Sequence, residues 1–307
     1  MRIAIVIPAF NVAPFLRDAL LSVLDQTHPH WSLIVVDDGS TDATATVAAG
    51  FQDDRIRLIQ QANAGVSVAR NRGIRRAITE NPDAFLFLDG DDWLAPDALA
   101  CLAETLEAAP WAVAASARYA RVASTGVIRL SAAPPDGCLL EHLLTHNLFA
   151  NGGHLLIRRE AIEAAGDFRQ DLTYGEDWEY WTRLALLGEF VTVRSRQPVL
   201  FVRERPGSAM RSNATDPAAY RPATDAIHQN PAIANRLGNS RLVHLRRRTD
   251  AETAWSVGRE LIRHGHQSEG QRWLGRSVIK APSLRRLILI GLAAFRFGSF
   301  RPYPTSG

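Results

Sequence analysis

Apolar and polar positions in the first hundred residues alternate between two periods. Arg2–Pro8 (RIAIVIP) is a short unbroken apolar run, the pattern of a strand buried on both faces. From Pro14 to Leu24, the residues Phe15, Leu16, Ala19, Leu20, Val23 and Leu24 fall on one helical face. Leu33–Val36 predicts a second buried strand, closed by Asp37-Asp38-Gly39-Ser40. Thr41 or Asp42 then caps a helix running to about Gly50. Arg55–Gln60 alternates like a more exposed strand, Val66–Ile78 has helical spacing, and Ala84–Leu88 is again continuously apolar. Asp89-Gly90-Asp91-Asp92 ends that strand, and Pro96 opens the next helix at the position proline favours.

Strands alternating with helices through short connections predict an α/β chain with a mostly parallel, Rossmann-like sheet flanked by helices. Such sheets bind ligands at the carboxyl ends of their strands. Two acidic clusters fall there, Asp37-Asp38 and Asp89/Asp91/Asp92. Aspartates often only cap turns, which accounts for one or two of these. Three carboxylates within four residues repel one another, and a bound divalent cation relieves that repulsion. Oxygen-only ligation suits Mg²⁺ or Mn²⁺. Neither GxGxxG after the first strand nor GxxxxGK[ST] anywhere is present. A nucleotide held here would have its diphosphate neutralised by metal and arginine instead of a glycine-rich loop.

Composition narrows the class. At 307 residues, with 46% hydrophobic and 22% charged, the chain matches a soluble globular protein and not a disordered one. Cys101 and Cys138 are the only cysteines, which excludes a disulfide scaffold and suits a reducing compartment. The first residues lack a secretory-leader pattern. The longest apolar stretch, Leu287–Phe295, is too short to cross a membrane. A cytoplasmic location is expected, or a peripheral one on the inner membrane face. Residues 1–193 carry 15 arginines against 25 acidic residues, a charge of −10. Residues 194–307 carry 20 basic against 7 acidic residues, +13. That basic half lacks finger spacing, an RNA-binding aromatic motif or a basic heptad region, so nucleic acid is not an expected partner.

Ile7-Pro8-Ala9-Phe10-Asn11, Ser22–Thr27 (SVLDQT), Ile34–Asp42 (IVVDDGSTD), Asn63–Gly73 (NAGVSVARNRG) and Phe87–Asp92 (FLDGDD) follow one another in order. Gly166-Asp167-Phe168, Gly175–Trp178 (GEDW) and Trp181–Leu184 (WTRL) complete the series. Over about residues 2–205 it resembles the inverting family-2 glycosyltransferases of GT-A fold. The resemblance implies a catalytic domain over 1–215, with a donor half of about 1–110 and an acceptor half of about 111–215. A small basic helical appendage over 216–307 follows.

By the same resemblance, Pro8, Ala9, Phe10 and Asp38 hold the base and ribose, Phe10 being either a base-packing ring or a core residue. Arg70 meets the nucleotide or its phosphates, or is an ordinary surface arginine. Asp89-Gly90-Asp91 is the DXD element: Asp91 ligates the metal directly, Asp89 holds ribose, metal or metal-bound water, and Asp92 assists. Asp177 of Glu176-Asp177 is the general base, and its place at a helix N-terminus predicts a depressed pKa. Trp178 and Trp181 are a sugar platform or core. Glu176, Trp178 and His154, with Asn151, Gly152 and Gly153, are candidates for the acceptor side, although a lone histidine is more often structural. Arg205 stands where the family often has histidine. It contacts phosphate, belongs to a lid running to Ser212, or lies in a plain loop.

The implied activity is metal-dependent, inverting transfer of a sugar from a nucleotide-diphosphate sugar, UDP-sugar first. The acceptor is a hydroxyl of a glycan or lipid-linked molecule in cell-surface polysaccharide or glycolipid synthesis. A nucleotidyltransferase would carry a phosphate loop at the first strand, and a non-catalytic nucleotide-sugar-binding module would need no base. In the tail, Asp250–His264 and Gln267–Ile279 read as amphipathic helices. Ala281–Phe297, framed by Arg285, Arg286 and Arg296, fits an interfacial helix on an anionic membrane, a helix packed on its own protein, or a homo-oligomer contact.

Overall fold

β1 (Ile3–Ala9) forms where the first apolar run predicts it and is buried along nearly its whole length. The chain is described here by a computed structural model covering residues 1–205, 213–284 and 286–288. β1 lies parallel to β2 (Trp31–Asp37), with Ala9 opposite Asp37, and parallel to β4 (Ala84–Phe87) on its other side. With β3 (Ile56–Gln60), β6 (Ala112–Ser116), β9 (Leu155–Arg158) and β10 (Glu189–Thr192) these make a seven-stranded sheet, ordered β10-β6-β9-β4-β1-β2-β3. Its pairings are parallel except around β9, which is antiparallel to β4 and β6.

Helices cover both faces, which is why β1 and β2 are apolar at consecutive positions. Leu16 and Leu20 of α1 (Ala13–Leu24) and Leu99 and Leu102 of α4 (Ala98–Glu107) pack in one core with Ile3, Ile5 and Ile7. On the side of Val6, α3 (Val66–Ile78) approaches so closely that a Cβ on Gly73 would stand 2.3 Å from Val6 Cγ1. Glycine is what permits that approach. A second sheet, ordered β5-β11-β7-β8, comprises β5 (Trp93–Leu94), β7 (Tyr119–Ala123), β8 (Ile128–Leu130) and β11 (Leu200–Glu204).

The chain divides into two compact units. Met1–Leu140 with Leu148–Arg205 forms the first, and Glu141–Asn147 with Pro206–Gly307 the second. The divide therefore falls ten residues before the 215/216 boundary read from sequence. The second unit also takes in the short 141–147 segment, whose Leu144 carbonyl accepts hydrogen bonds from His228 Nε2 and Thr249 Oγ1. Its helices are Pro217–His228, Pro231–Leu237, Asn239–Arg263 and Gln267–Lys280.

Several boundaries differ from the sequence reading. α2 (Thr44–Ala49) begins after Asp42, whose Oδ1 accepts from Thr44 N at 2.9 Å. Pro96 lies before α4, and its carbonyl accepts from Thr27 N at 2.9 Å. The helix expected from Asp250 starts at Asn239; Arg241 and Arg246–Arg248 interrupt the apolar pattern of its first half, which the sequence reading therefore omits. Of the terminal apolar stretch, Leu284 and Arg286–Ile288 are helical, while Arg285 and residues 289–297 lie outside the described residues. Among the described residues no helix is long and apolar enough to cross a membrane.

Candidate active site

The loops leaving β1 and β2 are laced together. Asp38 N donates to Ala9 O at 2.8 Å, Asn11 N donates to Ser40 Oγ at 3.0 Å, and Asn11 Oδ1 accepts from Thr41 N at 2.8 Å. Gly39 has φ +74°, and a Cβ there would stand 2.6 Å from Asn63 N, so the DDGS turn needs glycine. Asp38 is buried; its Oδ1 accepts from Gln61 Nε2 (2.7 Å) and Ala64 N (2.9 Å), and its Oδ2 from Gly65 N (2.8 Å). The carboxylate thus anchors the loop entering α3, using three of about four acceptor positions. Phe10 is 47% exposed at the carboxyl end of β1, so it is not a core residue. Pro8 is half-buried and Ala9 buried, both within β1.

At the end of β4 the aspartates separate by role. Asp92 turns inward, 2% exposed, accepting from Arg203 N at 2.9 Å and Asn151 Nδ2 at 2.6 Å. Burial and the neighbouring Asp89 and Asp91 charges hold its pKa well above the ordinary aspartate value. Asp89 accepts from Arg70 Nη2 at 3.2 Å and Asn151 Nδ2 at 3.1 Å; burial raises its pKa against the pull of Arg70. Asp91 Oδ2 accepts from Arg205 Nε at 2.5 Å, and the Asp91 carbonyl from Arg203 Nε at 3.0 Å. Gly90 sits between them against Val12. Asn151, read as lining the acceptor side, instead clamps Asp89 and Asp92. Its spacing from them, 62 and 59 residues, left no local signal.

The helix Glu176–Leu187 starts at the ED pair and is seated by aromatic packing. Phe168 stacks on Tyr180 at 3.8 Å, and Trp181 packs with Phe87, Phe149 and Phe168. Trp178 and Trp181 are 6% and 1% exposed, so they are core and not a sugar platform. His154 is also corrected: it is fully buried, its Nδ1 bonds Ala117 O at 2.7 Å, and its Nε2 accepts from Ala150 N at 3.2 Å. Burial lowers its pKa to about 4, and neither ring nitrogen is left for an acceptor.

Arg70 is the joint between the two acidic groups. It is buried, with Nη1 2.8 Å from Glu176 Oε1 and Nη2 3.2 Å from Asp89 Oδ1, and its guanidinium lies 5.3 Å from the Phe168 ring centre. It is therefore not a surface arginine. Burial alone would favour its neutral form, but Asp89, Glu176 and Asp177 override this and hold it protonated. Asp177 Oδ1 accepts from Trp178 N at 2.5 Å. The depressed pKa expected from the helix N-terminus is overturned: burial and the Glu176 charge raise Asp177 to about 7, outweighing Arg70.

No group of three His, Cys, Asp or Glu side chains among the described residues is placed to hold a metal. Magnesium commonly takes only one or two carboxylates, with substrate phosphates and water completing its shell. Asp91 and Asp89, whose side chains are 18% and 32% exposed, remain accessible and fit such a site; Asp92, 2% exposed, does not.

The family model for glycosyl transferase family 2 matches residues 4–166, and the chain belongs to that family. Over 93 residues it is 39% identical to TuaG of Bacillus subtilis (strain 168), a glycosyltransferase named for teichuronic acid biosynthesis, covering 29% of this chain and 36% of TuaG. EpsJ of the same organism, an uncharacterized glycosyltransferase, is 28% identical over 235 residues, 73% of this chain and 65% of EpsJ. The chain thus spans less than two thirds of either relative's length. Among solved structures, S. aureus TarS residues 1-349 in complex with UDP-GlcNAc superposes with a TM-score of 0.68 at 18% identity, covering 94% of this chain and 84% of that one. Mannosyltransferase PcManGT from Pyrobaculum calidifontis, in complex with GDP-Man and Mn2+, gives 0.60 at 20%, covering 97% and 81%. These likenesses establish the GT-A fold.

Proposed function

We propose that this chain is a metal-dependent inverting glycosyltransferase that moves a sugar from a UDP-sugar to a hydroxyl of a glycan or lipid-linked acceptor in cell-surface polysaccharide synthesis. One observation carries the reading: Arg70 brings the DXD end of β4 and the ED helix together, at 3.2 Å and 2.8 Å, at the carboxyl end of the parallel strands, where β1 and β2 lead into the exposed Phe10 and into Asp38. TarS bound to UDP-GlcNAc supports a UDP-sugar; PcManGT, bound to GDP-Man, sets the alternative nucleotide.

Asp177 takes the proton of the acceptor hydroxyl, whose oxygen bonds to the anomeric carbon on the face opposite the diphosphate as the bond from that carbon to the diphosphate oxygen breaks and UDP leaves. Phe10 covers one face of the base, and Asp38 holds the loop beside it. A divalent cation, when held through Asp91 and Asp89, supplies Lewis-acid stabilisation of the charge growing on the diphosphate. Arg205, beside Asp91, is a further phosphate donor through its planar fork.

The second unit supports peripheral attachment to an anionic membrane. Ile279, Leu284, Leu287 and Ile288 are 82%, 75%, 53% and 52% exposed, with the basic Arg272, Arg276 and Lys280 on the same stretch of chain. Incubation with UDP-sugars and with GDP-mannose, with and without Mn²⁺, tests the reading. UDP release that requires the cation is expected; release of GDP alone overturns the nucleotide assignment.

A further inference from the structure

Arg70 belongs to the NAGVSVARN stretch, which by resemblance assigns it to the nucleotide. The structure uses it differently. Both terminal nitrogens are committed inside the protein, one to Glu176 and one to Asp89, residues 106 and 19 positions away. Its Nε–H is buried without a hydrogen-bond partner among the described residues. The two ion pairs therefore fix the guanidinium strongly enough to leave a donor unpaired. The next residue, Asn71, pins the backbone of Phe168, whose ring lies against the same guanidinium. Arg70 is thus held from α3, from the end of β4 and from the segment preceding the ED helix.

We propose that Arg70 is a positioning residue for the transfer step, joining the donor carboxylate Asp89 to Glu176 and thereby holding the base Asp177 in place. The inference rests on the transferase reading. Its physical content is twofold. The Glu176 side chain is fixed at the first turn of its helix, so the adjacent Asp177 is fixed too. The cluster also gains one positive charge among three carboxylates. The charged groups facing Asp177 are Glu176 on its own helix, Arg70 on α3 and Asp89 after β4.

Arg70→Gln and Glu176→Gln make opposite changes to that charge balance. In Arg70→Gln, kcat falls by about 10²-fold, the scale of a small misplacement of a reacting group. The acidic limb of the pH–rate profile moves to higher pH, because three carboxylates now face one another. UDP affinity in the presence of Mn²⁺, measured by calorimetry, is held or raised. Arg70→Lys keeps the charge and restores the limb toward its wild-type position without restoring full kcat, since an ammonium lacks the two-armed fork. In Glu176→Gln, Arg70 stays in place, a negative neighbour is removed, and the limb moves to lower pH.

A fall in UDP affinity matching the fall in kcat, with the limb unmoved, overturns the proposal and returns Arg70 to the donor. Should Arg70→Gln fail to fold, Glu176→Gln decides alone: a limb that stays or rises overturns the proposal. A wild-type chain that transfers no sugar from any donor refutes the transferase reading separately. Thermal stability measured from pH 5 to 9 then still tests the link, because proton uptake by Asp177 must shift in opposite directions in the two variants.

Discussion

Asn71 grips the backbone of Phe168 from both sides: its Nδ2 donates to Phe168 O at 2.9 Å and its Oδ1 accepts from Phe168 N at 2.7 Å. Asn71 is fully buried, 97 residues from its partner in sequence. This is the side-chain version of a sheet pairing, and it fastens the segment before the ED helix to α3. Asn71→Ala strands a buried N–H and a buried carbonyl. It is expected to destabilise the protein by about 2–4 kcal/mol, one to two such groups at the usual cost. Urea unfolding checks this, and Asn71→Asp, which sets a buried carboxylate oxygen against the Phe168 carbonyl, should cost at least as much as Asn71→Ala.

Asp91→Asn keeps the side chain's shape and removes the charge that faces Arg205 and, on this account, the cation. UDP binding in the presence of Mn²⁺ should lose its dependence on the metal, while circular dichroism and melting temperature stay close to wild type. Calorimetry showing the full Mn²⁺-dependent affinity in this variant would remove Asp91 from the metal site.

The raised pKa of Asp177 predicts two pH effects of definite sign. A base must be ionised to work, so transfer should rise with pH through about 7 and level off above it. For stability the direction is the reverse. Between the ordinary value of 3.8 and about 7, the folded state binds a proton that the unfolded chain has lost. Stability contributed by this group therefore falls as pH rises through that window. Asp177→Asn removes the effect, so the ligand-free variant should melt above wild type at pH 8 and level with it at pH 4.

Much of residues 1–110 was legible because its signals are local. The runs that became β1, β2 and β4 are apolar at consecutive positions, and α3 coincides with its predicted span. Roles set by distant partners were not legible. Nothing near Asn151 announces that it clamps Asp89 and Asp92, nothing near Arg70 that it reaches Glu176, and nothing near His154 that two backbone groups occupy its ring. The Asp177 expectation failed for the same reason. The helix dipole could be inferred locally, whereas burial beside Glu176 could not. In the second unit, the arginine-rich start of Asn239–Arg263 masked a helix whose apolar face includes Leu245.

The exposed Leu284 and Leu287, near basic residues, make a specific prediction about attachment. Each basic side chain near an anionic bilayer contributes about 1 kcal/mol, which salt screens. The full chain should co-sediment with anionic vesicles at low salt and be released as salt rises. Leu284→Asp with Leu287→Asp should abolish sedimentation while leaving UDP affinity unchanged. Equal sedimentation of the variant and wild type would dismiss the membrane surface.

The most direct test of the account compares UDP formation from UDP-sugars by wild type and Asp177→Asn, with Mn²⁺ present, alongside the UDP affinity of each. Turnover of the variant should fall by about 10²–10⁴-fold, the usual contribution of a positioned general base, with affinity little changed. Turnover of the variant equal to wild type, or a loss of affinity as large as the loss of rate, would contradict it.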